Sequence, residues 1–174
     1  VVSAIELLKK HNVQFNILSV LTSRLAQNFR KAYRFFKSLD LRYMQFIPCL
    51  KAFDEEESIY AMSIDDYTTY LKSGYKLYYN DNMRGQGISI RQFDNYRLLM
   101  QGRPAEQCGM NGFCSEQFVV EGDGSVYPCD FYCINEFYLG NINELSFAQM
   151  HDSEIFRSFV KSSYTIPEKC TQCT

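Results

Sequence analysis

A short hairpin that carries cysteines constrains this chain more than any other feature. Residues 108–132 read CGMNGFCSEQFVVEGDGSVYPCDFY. Apolar runs at 118–120 and 126–127 flank a Gly-Asp-Gly turn signal, and this pattern predicts a β-hairpin. Counting outward from the turn places Cys114 and Cys129 at the same open end, roughly 7 Å apart at the rise of a strand. That separation suits two ligands of one metal centre.

Seven cysteines in 174 residues leave three explanations open, namely disulfides, a metal site and buried thiols. The odd number weakens a complete disulfide framework. No secretory signal is present, so we expect a cytoplasmic protein whose reduced thiols are available as ligands for zinc or iron. The chain begins within a helical pattern and without an initiator methionine, and we therefore expect it to be part of a longer protein.

The spacing of the cysteines separates zinc from iron only in part. Five residues lie between Cys108 and Cys114, fourteen between Cys114 and Cys129, and two between Cys170 and Cys173. A zinc ribbon normally pairs two C-x2-C knuckles, and only one such knuckle is present. Zinc remains open, while iron–sulfur clusters accept more varied ligand spacing.

Charge and hydropathy exclude two kinds of partner. The net charge is −2 and acids and bases are interspersed, which predicts no nucleic-acid partner. No apolar run is long enough to span a bilayer, which predicts no membrane partner. The apolar fraction of 46% is sufficient for a packed core.

The first third of the chain has the pattern of a βαβ unit. Apolar periodicity predicts a helix over residues 1–11, a buried strand over 13–22, a helix from Ser23 to about residue 38, and a second buried strand over 42–50. A right-handed crossover then makes the two strands parallel, as in the last part of an α/β barrel or a doubly wound fold.

Ligands of such folds gather where parallel strands end, which makes Cys49 and Leu50 candidates for the edge of a site. Cys49 has an equally simple interpretation as a small buried thiol. The next residues give an acidic loop at 54–57 and a helix capped by Ser63.

The remaining elements are short. We expect a strand over residues 88–93 and a helix from Asp94 to about residue 100, followed by a strand or turn at 139–142 after the hairpin. Two short helices should follow, with Ser146 and Ser153 as their caps. The pattern around His151 favours a surface or capping histidine over a ligand.

Three motifs together resemble a known family. The cysteine hairpin, LGNI at 139–142 and CTQC at 170–173 resemble the SPASM cluster-binding region of anaerobic sulfatase-maturating enzymes, a branch of the radical S-adenosylmethionine (SAM) enzymes. Upstream, QFNILSVLT and YRFFKSLDLRYMQFIPCL resemble the last strands and helix of that family's partial (β/α)6 barrel.

The resemblance covers essentially the whole chain and implies an α/β fold in three parts. Residues 1–52 would end the radical SAM barrel, and residues 53–104 would form a connector with helices and a short strand. Residues 105–174 would form a small α+β SPASM domain, with a β-hairpin and short helices, truncated at its C-terminus.

The resemblance implies a maturase that oxidises a serine or cysteine of an unfolded sulfatase segment to formylglycine. In that family SAM is cleaved at a radical 4Fe-4S cluster, and the resulting deoxyadenosyl radical takes hydrogen from the substrate. The implied partners are an unfolded sulfatase peptide or protein and an electron donor such as a flavodoxin or ferredoxin. We expect a monomer.

The resemblance also assigns ligands for two auxiliary 4Fe-4S clusters. Cys108, Cys114 and Cys129 would bind the first cluster, and Cys170 and Cys173 would begin the second. The remaining ligands would come from residues outside this sequence, so both ligand sets are expected to be incomplete.

Two further residues match functional positions of the family. Asp130 would be the general base that deprotonates the substrate side chain, and Leu50 would pack on the adenine of SAM. From the residues alone, Asp130 could equally bond nearby backbone amides at the end of the hairpin. Leu50 could be a simple hydrophobic loop residue.

The chain also departs from the family. The C-x3-C-x2-C motif that binds the radical cluster is absent, so we expect this chain alone to be inactive. Cys129 and Cys133 have the first spacing of that motif, but the third position is Glu136, and we predict a free thiol at Cys133. Two alternatives stay open: a SPASM enzyme that modifies ribosomal peptides, and a non-catalytic zinc or electron-transfer module.

Overall fold

The chain forms two compact units in a computed structural model that describes residues 1–51, 53 and 58–172. The units are Val1–Arg103 and Pro104–Thr174. The acidic run at 54–57 and the last cysteine, Cys173, lie outside the described residues. Both units contain helices and strands, and the mixed α/β class predicted from the sequence is confirmed.

The first unit is built on a three-stranded parallel sheet. Its elements are α1 (Val2–Lys10), β1 (Ile17–Leu21), α2 (Ser23–Gln27), α3 (Phe29–Ser38), β2 (Tyr43–Pro48), α4 (Ile64–Met83), β3 (Ser89–Ile90) and α5 (Arg91–Met100). The strand order is β1-β2-β3, and all neighbours are parallel. The predicted crossover between two parallel strands is therefore present.

The apolar sequence of β1 predicts a strand that is buried on both faces, but the structure leaves one of its faces exposed. Leu18 and Val20 are 57% and 53% exposed, whereas Leu21 is fully buried. The helices pack on the sheet face that carries Met44 and Phe46, so the side chains that alternate with them are left uncovered in this unit.

The helix predicted from residue 23 to about residue 38 is divided in two. Asn28 ends α2 and precedes α3, and its side-chain amide donates to the Arg24 carbonyl at 2.9 Å. An Asn that bonds the backbone in this way competes with a continuous helix. The N-cap is Thr22 rather than Ser23, since the Thr22 hydroxyl accepts from the Leu25 amide.

Aromatic rings fill the core of the first unit. Phe29 packs edge-on against Phe46 and Tyr70, with ring centroids 5.0 and 4.8 Å apart, and Tyr70 stacks on Phe93 at 5.7 Å. Gly74 permits this close approach, because a Cβ there would lie 3.1 Å from the rings of Phe29 and Phe93. The tyrosines of α4 thus belong to the core, as the sequence indicates.

A buried charge joins α3 to α4. The Asp81 carboxylate accepts from the Tyr33 hydroxyl at 2.7 Å and from the Lys37 ammonium at 2.6 Å. Burial acts to raise the pKa of Asp81, but the hydrogen bonds from Lys37 and Tyr33 outweigh it and lower that pKa below its usual value. The same contact and burial raise the pKa of Tyr33.

The element after α4 differs from the prediction. The strand spans two residues instead of six, and α5 begins directly at Arg91, so Asp94 is not its cap. Asp94 instead accepts from the hydroxyls of Tyr78 and Ser89, both at 2.5 Å. This long-range partner explains why a local capping pattern gave the wrong role for Asp94.

The second unit is smaller and contains an antiparallel sheet. Its elements are β4 (Val119–Val120), β5 (Ser125–Tyr127), short 3-10 helices at Asp130–Tyr132 and Asn135–Phe137, β6 (Gly140–Asn141), α6 (Phe147–His151), α7 (Glu154–Ser162) and α8 (Glu168–Thr171). The order β4-β5-β6 confirms the hairpin and the returning strand. Ser146 and Ser153 cap α6 and α7 as predicted.

The core of the second unit is limited. Its buried cluster comprises Val126, Leu139, Met150 and Phe156, with Phe118 packed against it. Within the described residues, no helix is both long and apolar enough to cross a membrane.

Candidate iron–sulfur site

The turn of the hairpin depends on a glycine. Gly124 has a φ of +86°, and a Cβ at this position would lie 2.8 Å from the Asn141 side-chain oxygen. The Asp123 carboxylate accepts from the Ser125 backbone amide at 2.9 Å and so fixes the same turn. The register pairs Val120 with Val126, the buried central residue of β5.

Cys129 follows β5 and opens a tight turn. It is 8% exposed, and its carbonyl accepts from the Tyr132 amide at 3.1 Å across the 3-10 helix. The Tyr132 ring packs edge-on against Phe137 and Phe159, both at 5.4 Å. The turn is therefore anchored at its first and last residues, and the residues between them face outward.

The thiol of Cys129 lies in an electrostatic setting that disfavours the free thiolate. Burial raises its pKa, a hydrogen bond from the Phe131 backbone amide opposes this, and the charges of Asp130 and Cys108 raise it further. The Cys129 sulfur is 3.6 Å from a carboxylate oxygen of Asp130. A bound cation would supply the positive charge that this thiolate lacks.

Cys133 lies close to the same turn. Its sulfur is 3.6 Å from the Cys129 carbonyl oxygen. Burial raises the pKa of the Cys133 thiol, and the carboxylates of Glu121 and Asp130 raise it further. The sequence did not indicate that Glu121 lies near Cys133, whereas the three residues between Cys129 and Cys133 are short enough to place both cysteines in one turn.

The other predicted ligands occupy different parts of the unit. Cys108 is exposed, whereas Cys129 is buried. The Cys114 amide donates to the Ser163 hydroxyl at 2.9 Å, which ties the loop to the end of α7. Cys170 is exposed on α8.

The donor chemistry fits an iron–sulfur cluster, because the cysteines of the described chain are free thiols. Across residues 1–51, 53 and 58–172, however, no group of three or more Cys, His, Asp or Glu side chains is close enough to hold a metal ion.

Asp130 and Leu50 are both accessible. The Asp130 side chain is exposed at the start of its 3-10 helix. Leu50 is 64% exposed and follows β2, at the edge where the parallel strands end. Cys49 is partly buried, and its backbone amide donates to the Leu21 carbonyl at 3.0 Å, which extends the pairing of β1 and β2.

His151 lies at the surface of the second unit. Its Nε2 is 3.1 Å from a Glu116 carboxylate oxygen, and its side chain is 46% exposed. This placement agrees with a surface histidine in the last turn of α6.

Comparisons with known proteins give a consistent picture. Residues 108–174 match the SPASM family, an iron-sulfur cluster-binding domain. The cysteine-type anaerobic sulfatase-maturating enzyme of Clostridium perfringens (strain 13 / Type A) is 44% identical over 172 residues, which are 98% of this chain and 46% of that protein. The serine-type enzyme of Bacteroides thetaiotaomicron (strain VPI-5482) is 27% identical over 190 residues, 99% of this chain and 45% of that protein.

A solved structure is similar over nearly the whole chain. It is described as native anSMEcpe with bound AdoMet and Cp18Cys peptide, and it matches with a TM-score of 0.90 at 40% identity. The match covers 99% of this chain and 48% of the solved one. The chain thus spans slightly less than half the length of the relatives that it matches.

Proposed function

We propose that this chain belongs to the family of anaerobic sulfatase-maturating enzymes and is part of a radical SAM maturase that oxidises a sulfatase serine or cysteine to formylglycine. The observation that carries the proposal is the 44% identity across 98% of the chain. Both cysteine-type and serine-type relatives match, and the cysteine-type relatives are the more similar.

The first unit would end the catalytic barrel. Strands β1 and β2, which run parallel and are joined through α2 and α3, would be the last strands of a partial (β/α)6 barrel over residues 1–52. Residues 53–104 would be the connector, and residues 105–174 the SPASM domain. Leu50 would pack on the adenine of SAM, and its exposed position where the strands end supports this assignment.

The second unit would hold auxiliary 4Fe-4S clusters. Cys108, Cys114 and Cys129 would bind the first cluster, and Cys170 and Cys173 would begin the second. The match of residues 108–174 to an iron-sulfur cluster-binding domain supports these assignments. The backbone of Cys114 is held by its bond to Ser163 at the end of α7.

Asp130 would take the proton from the substrate hydroxyl or thiol. Its carboxylate is exposed, so a peptide can reach it, and the anchored turn fixes its backbone. The radical that removes hydrogen would come from SAM at a radical 4Fe-4S cluster elsewhere in the full-length protein. The partners would be an unfolded sulfatase segment and an electron donor such as a flavodoxin or ferredoxin, for a monomer in the cytoplasm.

A formylglycine assay on the full-length parent tests the function and the base together. The reconstituted parent should convert a Cys-containing sulfatase peptide, and the Asp130→Asn variant should lose at least about 100-fold in kcat, the usual contribution of a general base. Asp123→Asn is the matched control, because Asp123 is an exposed aspartate of the same hairpin that only fixes the turn.

Two results would contradict the proposal at different points. Unchanged conversion by Asp130→Asn would remove the base assignment and leave the maturase. A parent that binds stoichiometric zinc, shows no four-iron absorbance and forms no formylglycine would remove the maturase itself.

A further inference from the structure

Phe131 stands apart from the other aromatic residues of its turn. It is 52% exposed, and it makes none of the ring contacts found among the described residues. The next residue, Tyr132, packs instead against Phe137 and Phe159. Burying a Phe ring normally stabilises a fold, whereas this ring is left at the surface of a well-anchored turn.

The turn places the Phe131 side chain beside Asp130. Successive side chains of a 3-10 helix point about 120° apart, because the helix has three residues per turn. With Tyr132 directed into the core, Asp130 and Phe131 share the outward side of the turn. Their Cα atoms are about 3.8 Å apart, as for any trans peptide. An apolar surface therefore borders the carboxylate.

We propose that Phe131 is a specificity-determining residue that contacts an apolar side chain of the peptide substrate within two residues of the reacting serine or cysteine. This inference rests on the proposed function, because it takes Asp130 as the group that the reacting residue reaches. An extended peptide advances about 3.3–3.6 Å per residue. A peptide that brings its reacting side chain to Asp130 therefore lays a near neighbour over the Phe131 ring.

The peptide explains the exposure better than internal packing does. The exposed ring of Phe131 is open to a ligand. A peptide was bound in the solved relative, so an unfolded segment is an occupant that this fold accommodates.

Peptide binding to the reconstituted full-length parent tests the inference without relying on turnover. A fluorescently labelled Cp18Cys peptide would be titrated by anisotropy under anaerobic conditions. Phe131→Ala should weaken binding about tenfold and Phe131→Leu about twofold, in proportion to the apolar area lost. Phe147→Ala is the matched control, because Phe147 is 49% exposed but its ring packs on Phe118 at 5.1 Å.

Steady-state kinetics should show that Phe131 affects peptide binding and not the reaction. Phe131→Ala should raise KM about tenfold and change kcat less than about twofold, as expected for a residue that binds the peptide without taking part in the reaction. Replacing the apolar peptide residue by serine should weaken binding to the parent but not to Phe131→Ala.

Each remaining outcome is decisive. Equal affinity of Phe131→Ala and the parent, or an equal loss in Phe147→Ala, would overturn the inference. So would a Phe131→Ala variant that loses iron or thermal stability with unchanged peptide affinity, because the ring would then be covered by the protein itself. Binding that depends on Phe131 in a parent that forms no formylglycine would overturn the proposed function and leave the peptide contact.

Discussion

The two units of this chain reach an ordered fold by different means. Among the residues that the structure describes, the first buries a cluster of eleven side chains, rich in aromatic rings, around its parallel sheet. The second buries a cluster of four and has strands of only two or three residues. Six of the seven cysteines lie in the second unit. The unit with the large core thus contains few cysteines, and the unit with the small core contains many.

This difference has a physical reason. A domain below about 70–80 residues rarely gains more than about 3–5 kcal/mol from its hydrophobic core, and natural examples add disulfides or metal. With a match to an iron–sulfur cluster-binding domain over residues 108–174, metal is the expected support for the second unit. We therefore expect the first unit to depend on packing and the second on its clusters.

Loading of the clusters should give the largest effect. In the full-length parent, anaerobic reconstitution should raise the amide protection of residues 104–172 by about 5 kcal/mol or more, because metal binding stabilises only the folded state. In a variant of the parent that lacks the ligands of the radical cluster, residues 1–51 should change by less than about 1 kcal/mol. Hydrogen exchange followed by mass spectrometry measures both. An equal gain in both regions would show that the units do not differ as proposed.

Truncation of a side chain in the aromatic core should give the next largest effect. Phe93→Ala should destabilise the first unit by about 3–5 kcal/mol through the cavity it leaves, with no loss of iron. Phe35→Ala, at a side chain that is 51% exposed, should cost less than about 1 kcal/mol. Denaturant unfolding and iron analysis test this pair. A Phe93→Ala protein that loses iron would break the separation of the two units.

The buried charge should contribute somewhat less. Asp81→Asn should cost about 2–3 kcal/mol, because it leaves Lys37 without its carboxylate partner. The pKa of Asp81 is lowered in the folded state, so its stabilisation is present above the unfolded value near 3.8 and is lost as the pH falls through the folded pKa. Urea unfolding of both proteins between about pH 7 and 3 should show their difference shrinking. A constant difference would contradict the role of the charge.

The smallest effect concerns a helix cap in the second unit. Ser153→Ala should destabilise α7 by about 1 kcal/mol, since the Ser153 hydroxyl accepts from the Phe156 amide. Ser158→Ala, on the exposed face of the same helix, should be neutral or slightly stabilising because Ala favours helices. Hydrogen exchange of the α7 amides measures both. If the two variants behave alike, the cap does not stabilise this small core.

Local patterns predicted much of the fold. The hairpin and the caps at Ser63, Ser146 and Ser153 could be predicted because each depends on neighbouring residues. The parallel strands and the aromatic core could be predicted from the pattern of apolar residues along the chain. One of the failures has a long-range cause. Asp94 bonds Tyr78, sixteen residues away, and this contact overrides the capping pattern.

The candidate site could be predicted from the sequence only in part. Motifs identified the cysteines and Asp130, whose roles stay predictions. They could not identify Ser163, which bonds the backbone of Cys114 from forty-nine residues away. The nearness of Glu121 to Cys133 likewise depends on how the turn after β5 folds back.

Iron and sulfide analysis of the reconstituted full-length parent tests the central claim most directly. Cys129→Ala should lose one four-iron cluster, about four iron and four sulfide per chain, because Cys129 is a proposed ligand. Cys133→Ala should retain the full content, although its thiol lies 3.6 Å from the Cys129 carbonyl. Equal iron loss in both variants, or full iron in Cys129→Ala, would contradict the ligand assignment.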